Sequence, residues 1–220
     1  MARDDPGKPR RRRNPEATRE AILDTARRLL AAEGIEGVSV SAVAQDACIN
    51  RGTAYKHFAS REQLIEQTIA SVSRKLLEAV YGKHVDADAV RVEDIDQVAL
   101  TEGLAAFAME NPDLCRVWLM HVLASPDPSA DPFWRMYVGS LRRFAETDLA
   151  QPGVDAEVLS VLVLAGTFLW PVWSHAGSLD SAGRAAATAR FTRELLRLSM
   201  HGSMRPERHP AVANKVTHAS

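Results

Sequence analysis

A chain of 220 residues and 24.1 kDa has room for one or two domains with a sizeable buried core. With 46% hydrophobic and 25% charged residues it has an ordinary globular composition, which excludes low-complexity and fibrous classes. A formal net charge of -1 excludes a field that is basic over the whole protein, so any interaction with nucleic acid must rest on local charge.

That local charge exists. Residues 1–62 hold 12 Lys+Arg against 9 Asp+Glu, a net of +3, while the remainder holds 15 against 19, a net of -4. The basic residues cluster in Lys8-Pro9-Arg10-Arg11-Arg12-Arg13, within a polar segment, residues 1–13, expected to be a disordered arm. Two cysteines, Cys48 and Cys115, and a charged rather than apolar N-terminus point to a reducing cytoplasm without a disulfide framework. Val158–Trp173 is uncharged but falls short of the ~20 apolar residues of a span and contains Ser160, Thr167 and Pro171, so it reads as a buried helix and no membrane is expected.

In chain order, helical periodicity dominates and no alternating strand is evident. Asn14-Pro15-Glu16 combines an N-cap, a proline at the first helical position and an acid in the first turn. Ile22, Ala26, Leu29 and Leu30 then give one apolar face, and Gly34 supplies the stop. A second start lies at Ser39, with a short helix through Ala47. Cys48-Ile49-Asn50 forms a turn, and Asn50 caps a third helix to about His57. Ser60 and Gln63 form a capping-box pattern that opens a long helix through about Val80. Further helices are expected at 93–110, 112–124, 132–148, 154–176 and 182–200. Pro126-Asp127-Pro128 and Gln151-Pro152-Gly153 break the pattern between them, and residues 203–220 read as a flexible tail. The predicted fold class is all-α, with a helix-turn-helix domain over 14–60 and a larger helical domain over 61–202.

Residues 39–58 have helix-turn-helix spacing. Small Ala44 lets two helices cross closely, a turn follows four residues later, and Ile49 and Ala54 face inward. Such a unit lays its second helix in the major groove of DNA. Gly52-Thr53-Ala54-Tyr55-Lys56-His57-Phe58 running into Arg61-Glu62-Gln63-Leu64, with the Ile22, Ala26, Leu29 and Gly34 pattern before it, resembles the TetR family of bacterial repressors. Cys48 stands where that family usually has glycine, and Ala54 where a larger apolar residue is usual.

The resemblance implies roles residue by residue. Ser39 directs a helix N-terminus at a phosphate. Arg51 and Lys56 are candidates for guanine edges or phosphates, and Thr53 for a thymine methyl or a hydroxyl contact. Tyr55 and His57 would donate to phosphates, as would Arg61 at the start of the next helix. Phe58 is a core residue, and Arg10–Arg13 would either enter the adjacent minor groove or remain a solvated tail. Beyond about residue 80 the resemblance implies ligand binding and homodimerisation, with the last two helices of each subunit forming a four-helix bundle and two recognition helices facing a near-palindromic operator.

All four tryptophans lie in that part. Trp118, His121, Trp134, Tyr137, Phe168 and Trp170 are the candidates to line an apolar effector cavity, with core or subunit interface as the plainer alternative for each. The partners expected are thus double-stranded DNA, a small apolar or aromatic effector and a second copy of the chain. No nucleophile with an activating base, phosphate-cradling glycine loop or metal-ligand spacing is present, so neither catalysis nor a metal or cofactor is expected. A DNA-binding or protein-interaction module without ligand sensing is the alternative. Cys48, placed in the turn, reads either as a redox-sensitive thiol or as a small buried residue.

Overall fold

The computed structural model describes residues 14–82, 95–202 and 204–217. The basic arm, residues 1–13, and His84 lie outside this range, as do Ser203 and residues 218–220. The described residues form α-helices with no strand, save one isolated antiparallel bridge between Ala150 and Met204. The chain divides after Thr68 into two compact units.

The first unit comprises α1 (Pro15–Glu33), α2 (Val40–Asp46), α3 (Arg51–His57) and the first turns of α4 (Arg61–Tyr81). Asn14 caps α1 by accepting the Glu16 N–H at 3.1 Å, and α1 ends at Gly34, whose φ of 73° only glycine adopts freely. Ile22, Leu23, Ala26 and Leu30 line one face of α1 and are buried, with Val38, Val40, Val43, Ala44, Ala54, Phe58 and Leu64 closing the same core. Arg27, also buried, keeps its charge neutralised by Glu20 at 3.0 Å and by Asp24.

The second unit holds α5 (Gln97–Glu110), α6 (Pro112–Ala124), α7 (Pro132–Ala145), α8 (Ala156–Trp173), α9 (Ser181–Gly202) and α10 (Pro210–Thr217). Acids open three of these helices: Asp96, Asp131 and Asp155 each accept from backbone N–H groups of the first turn. Accordingly α5 begins at Gln97 rather than near residue 93. At its centre Trp118 meets Phe133 and Phe168 edge-to-face, at ring separations of 5.3 and 5.5 Å.

One expectation is corrected, and another is met on one side of α8 alone. α8 is long and apolar enough, by length and composition alone, to cross a membrane. It packs on α5, α6 and α7 through the face that buries Ser160, Leu164, Thr167, Phe168 and Pro171, touches α9 through Trp170, and leaves Val158, Leu162, Val172 and Trp173 exposed within the chain. The segment after Gly202, read as a frayed tail, folds through Thr217. Met204 and Val212 are buried with Phe144, Leu196 and Met200. Arg205 donates from its backbone to the Leu149 carbonyl and from Nε to the Ala150 carbonyl, and Gln151 donates to the Met204 carbonyl. Two apolar anchors and a satisfied backbone outweigh the polar composition that suggested disorder.

Candidate nucleic-acid interface

Ser39 opens α2 as its N-cap, its hydroxyl accepting the Ala42 N–H at 3.1 Å. The helix closes with a Schellman motif: the Ile49 N–H reaches the Ala44 carbonyl at 2.9 Å and the Cys48 N–H the Gln45 carbonyl at 3.1 Å. The left-handed position of that motif is Cys48, at φ 53°, so a side chain occupies the conformation that glycine takes without strain. Cys48 is exposed, not the small buried residue that was one of its two readings.

Asn50 then caps α3, accepting the Gly52 N–H at 2.9 Å. A Cβ on Gly52 would stand 3.2 Å from that accepting oxygen, which explains a glycine in the first turn of a short helix. Ala54 and Phe58 are wholly buried and fix the rotation of α3, while Arg51, Tyr55 and Lys56 are exposed and Thr53 and His57 half-buried. The Tyr55 hydroxyl lies 3.5 Å from that of Ser41 on α2, so the two helices present hydroxyls side by side. Ser41 was not among the predicted contacts. Its position, two residues after the Ser39 cap, is the signal that marks it.

Nearby acids are engaged or held ionised. Asp46 pairs with Arg28 at 3.1 Å, and Glu36 lies 3.5 Å from Arg61. The backbone N–H at the opening of α4 and the Ser60 hydroxyl hold the Glu62 carboxyl below its ordinary value. Ser60 caps the Gln63 N–H as the sequence suggests, while the Gln63 side chain accepts from Ala59 rather than from Ser60. Residues 14–62 carry six Lys+Arg against seven Asp+Glu, whereas residues 1–13 carry six against two. The basic excess of the first third therefore belongs to the arm.

Arg61, expected at a phosphate, also has partners within the protein. Its Nε donates to the Val38 carbonyl at 2.9 Å and its Nη2 to the Ile35 carbonyl at 2.8 Å.

In the second unit, the six predicted effector residues do not form one site. Trp118 and Phe168 lie in the closed aromatic core, the Trp118 N–H donating to Asp131 at 3.1 Å. Tyr137 joins that core through Phe133, and Trp134 is buried on the same helix. His121 is exposed on α6. Trp170 stacks on Phe191, donates to the Ala187 carbonyl at 3.1 Å and lies under Arg190, so it serves the contact of α8 with α9. A cavity of about 50 Å³ adjoins Tyr137, walled also by Ser140, Phe144, Leu159, Leu195 and Met204, with no charged side chain in its lining. Ser140 donates to the Tyr137 carbonyl, which leaves its oxygen to accept from the Tyr81 hydroxyl at 3.1 Å. Burial pushes that phenol up to about 12. Burial likewise raises the Cys115 thiol, which is unreactive in that state. No cluster of three metal-ligating side chains occurs among the described residues.

Residues 22–68 match the family model described as bacterial regulatory proteins, tetR family. Over 107 residues the chain is 32% identical to the HTH-type transcriptional regulator UidR of Escherichia coli strain K12, an alignment covering 44% of this chain and 55% of UidR. The chain spans about half the length of the curated relatives it matches. Among solved structures, the ketosteroid transcriptional regulator KstR2 of Mycobacterium tuberculosis superposes with a TM-score of 0.57 at 17% identity, over 86% of this chain and 95% of that one. The SmeT–triclosan complex superposes with a TM-score of 0.55 at 15% identity, over 87% and 94%. These likenesses show the same all-helical fold.

Proposed function

We propose that this chain, which belongs to the tetR family of bacterial regulatory proteins, represses transcription by binding a near-palindromic operator as a homodimer and is released by a small apolar or aromatic effector. The observation that carries the reading is α3. A helix of seven residues, capped by Asn50 and locked by buried Ala54 and Phe58, holds Arg51, Tyr55 and Lys56 on its open face. That is the set a major-groove helix requires: cations with the reach for guanine edges and a phenol for phosphate. Thr53 and His57 flank them, Ser39 and Ser41 offer the opening of α2 to the backbone, and Arg10–Arg13 supplies the phosphate attraction that residues 14–62 lack.

The homodimer is supported by the open face of α8 and α9, where Val158, Leu162, Val172, Trp173 and Leu198 are between 47% and 78% exposed. An apolar surface of that extent calls for a partner, and a second copy presents the same face across a two-fold axis. The effector reading is supported by a neighbour of the same fold solved with triclosan; the cavity beside Tyr137, at about 50 Å³, is too small to hold such a molecule without rearrangement. Release requires the effector to favour a dimer geometry that misfits the operator, by several kcal/mol for a full switch. Cytoplasmic residence follows from the same role.

Selection of binding sites from a randomised duplex pool tests the proposal. The expected result is a two-fold symmetric sequence with half-sites about 34–36 Å apart or slightly more. Recovery of no preferred sequence would remove the operator reading and favour an interaction module.

A further inference from the structure

We propose that Arg61 is a positioning residue that clamps the opening of α2 to the first turn of α4, and is not a phosphate contact. The inference rests on the reading of α3 as a recognition helix. Its basis is the guanidinium fork, whose Nε and Nη2 donate to two backbone carbonyls three residues apart, Val38 at 2.9 Å and Ile35 at 2.8 Å.

The Ile35 carbonyl also accepts the Val38 N–H at 3.2 Å, whereas the Val38 carbonyl draws its donor from the Arg61 side chain. Ser39 is the N-cap, and its carbonyl is the first that the helix uses, accepting the Val43 N–H at 2.9 Å. The Val38 carbonyl therefore lies just upstream of the helical ladder, on a fully buried residue, where an unsatisfied oxygen is costly. The corner that carries it has little freedom. It is a 3₁₀ turn, Ile35–Gly37, pressed so closely on the end of α1 that a Cβ on Gly37 would meet the Glu33 Cβ at 2.3 Å.

The other end of the clamp is equally fixed. Ser60 caps the first turn of α4, Leu64 is wholly buried, and Gln67 accepts from Arg19 at 2.9 Å. The Arg19 guanidinium in turn lies 4.8 Å over the Phe58 ring, at the end of α3. Through these contacts the openings of α2 and α4 and the end of α3 keep one arrangement, and the Ser39 and Ser41 hydroxyls keep their place beside Tyr55. Arginine alone suits the position. Its planar fork reaches two carbonyls at once, whereas the single ammonium of lysine does not, although lysine serves a phosphate as well.

The test compares Arg61→Lys and Arg61→Gln with the wild type. In DNA-free protein, amide exchange of Ala42 and Val43 is expected to quicken about ten-fold in both variants, the effect of losing a charge-assisted hydrogen bond at a helix start. On operator DNA both variants are expected to bind about ten-fold more weakly, with the slope of log affinity against log salt unchanged. Loss of folding on Lys substitution counts for the clamp too, because a phosphate contact is not needed to fold. Unchanged exchange overturns the proposal. So does a Lys variant of wild-type affinity beside a Gln variant whose slope falls by about 0.9 per subunit, the signature of a lost phosphate contact. A wild type that binds no DNA at all would sink the operator reading, and the exchange measurement would still decide the clamp.

Discussion

At the residue scale, single atoms separate reading bases from holding the reader in place. By sequence, Arg51 and Lys56 are candidates for guanine edges or phosphates and Tyr55 and Arg61 for phosphates, each a polar side chain in or just after the second helix of the motif. Their surroundings divide them: Arg51, Tyr55 and Lys56 are exposed on α3, with Tyr55 touching Ser41, while Arg61 turns back to the protein's own carbonyls. No periodicity records which way a guanidinium turns, because that depends on a backbone corner 26 residues away in the chain. Cys48 is the opposite case, since it stands where the family usually has glycine, and its backbone is left-handed, at φ 53°. A non-glycine residue there is strained by about 1–2 kcal/mol, partly offset by the greater chain entropy of unfolded glycine. Cys48→Gly is therefore expected to raise the unfolding free energy by up to about 1 kcal/mol, read from the denaturant midpoint at constant slope. A lowered midpoint would show that the cysteine side chain contributes more than its backbone costs.

At the element scale, helices with strong caps were legible and those defined by packing were less so. Asn14, Ser39, Asn50 and Asp131 each mark a helix start because a short side-chain oxygen can reach a first-turn N–H. The ends of α7 and α8 fell three residues short of expectation, at Ala145 and Trp173, since apolar periodicity continues past the last hydrogen-bonded turn. The largest gap was α10. Its segment is polar and proline-bearing, and only the tertiary partners of Met204 and Val212 decide that it folds. Met204→Ala is expected to cost about 2–5 kcal/mol, the range for removing a buried methionine side chain. Calorimetry that finds the melting temperature unmoved would restore the frayed tail.

At the scale of the whole molecule, the sequence separated a small helix-turn-helix unit from a larger helical one but did not mark a cavity in the latter. Aromatic content picked out six residues, yet Trp118 and Phe168 fill a closed core and Trp170 serves α9, because a bulky ring suits tight packing as well as it suits a ligand. The apolar run of α8 pointed correctly to burial on one side, and its other side, with Leu162 at 65% exposure, is the proposed subunit contact. Leu162→Asp places a charge at that contact. It is expected to yield a monomer in sedimentation, with operator affinity reduced as the two-fold arrangement is lost. A variant that stays dimeric would move the interface elsewhere.

The most direct measurement is the ratio of operator to random-DNA affinity, at one fixed salt concentration, for the wild type, Arg51→Ala and Lys56→Ala. The account predicts a clear preference for the operator in the wild type. In at least one variant that preference falls by about 1–3 kcal/mol, the loss that follows when a base-edge contact is removed. Equal affinity for operator and random DNA in the wild type, or a preference untouched by both substitutions, would contradict the reading of α3 as the helix that recognises sequence.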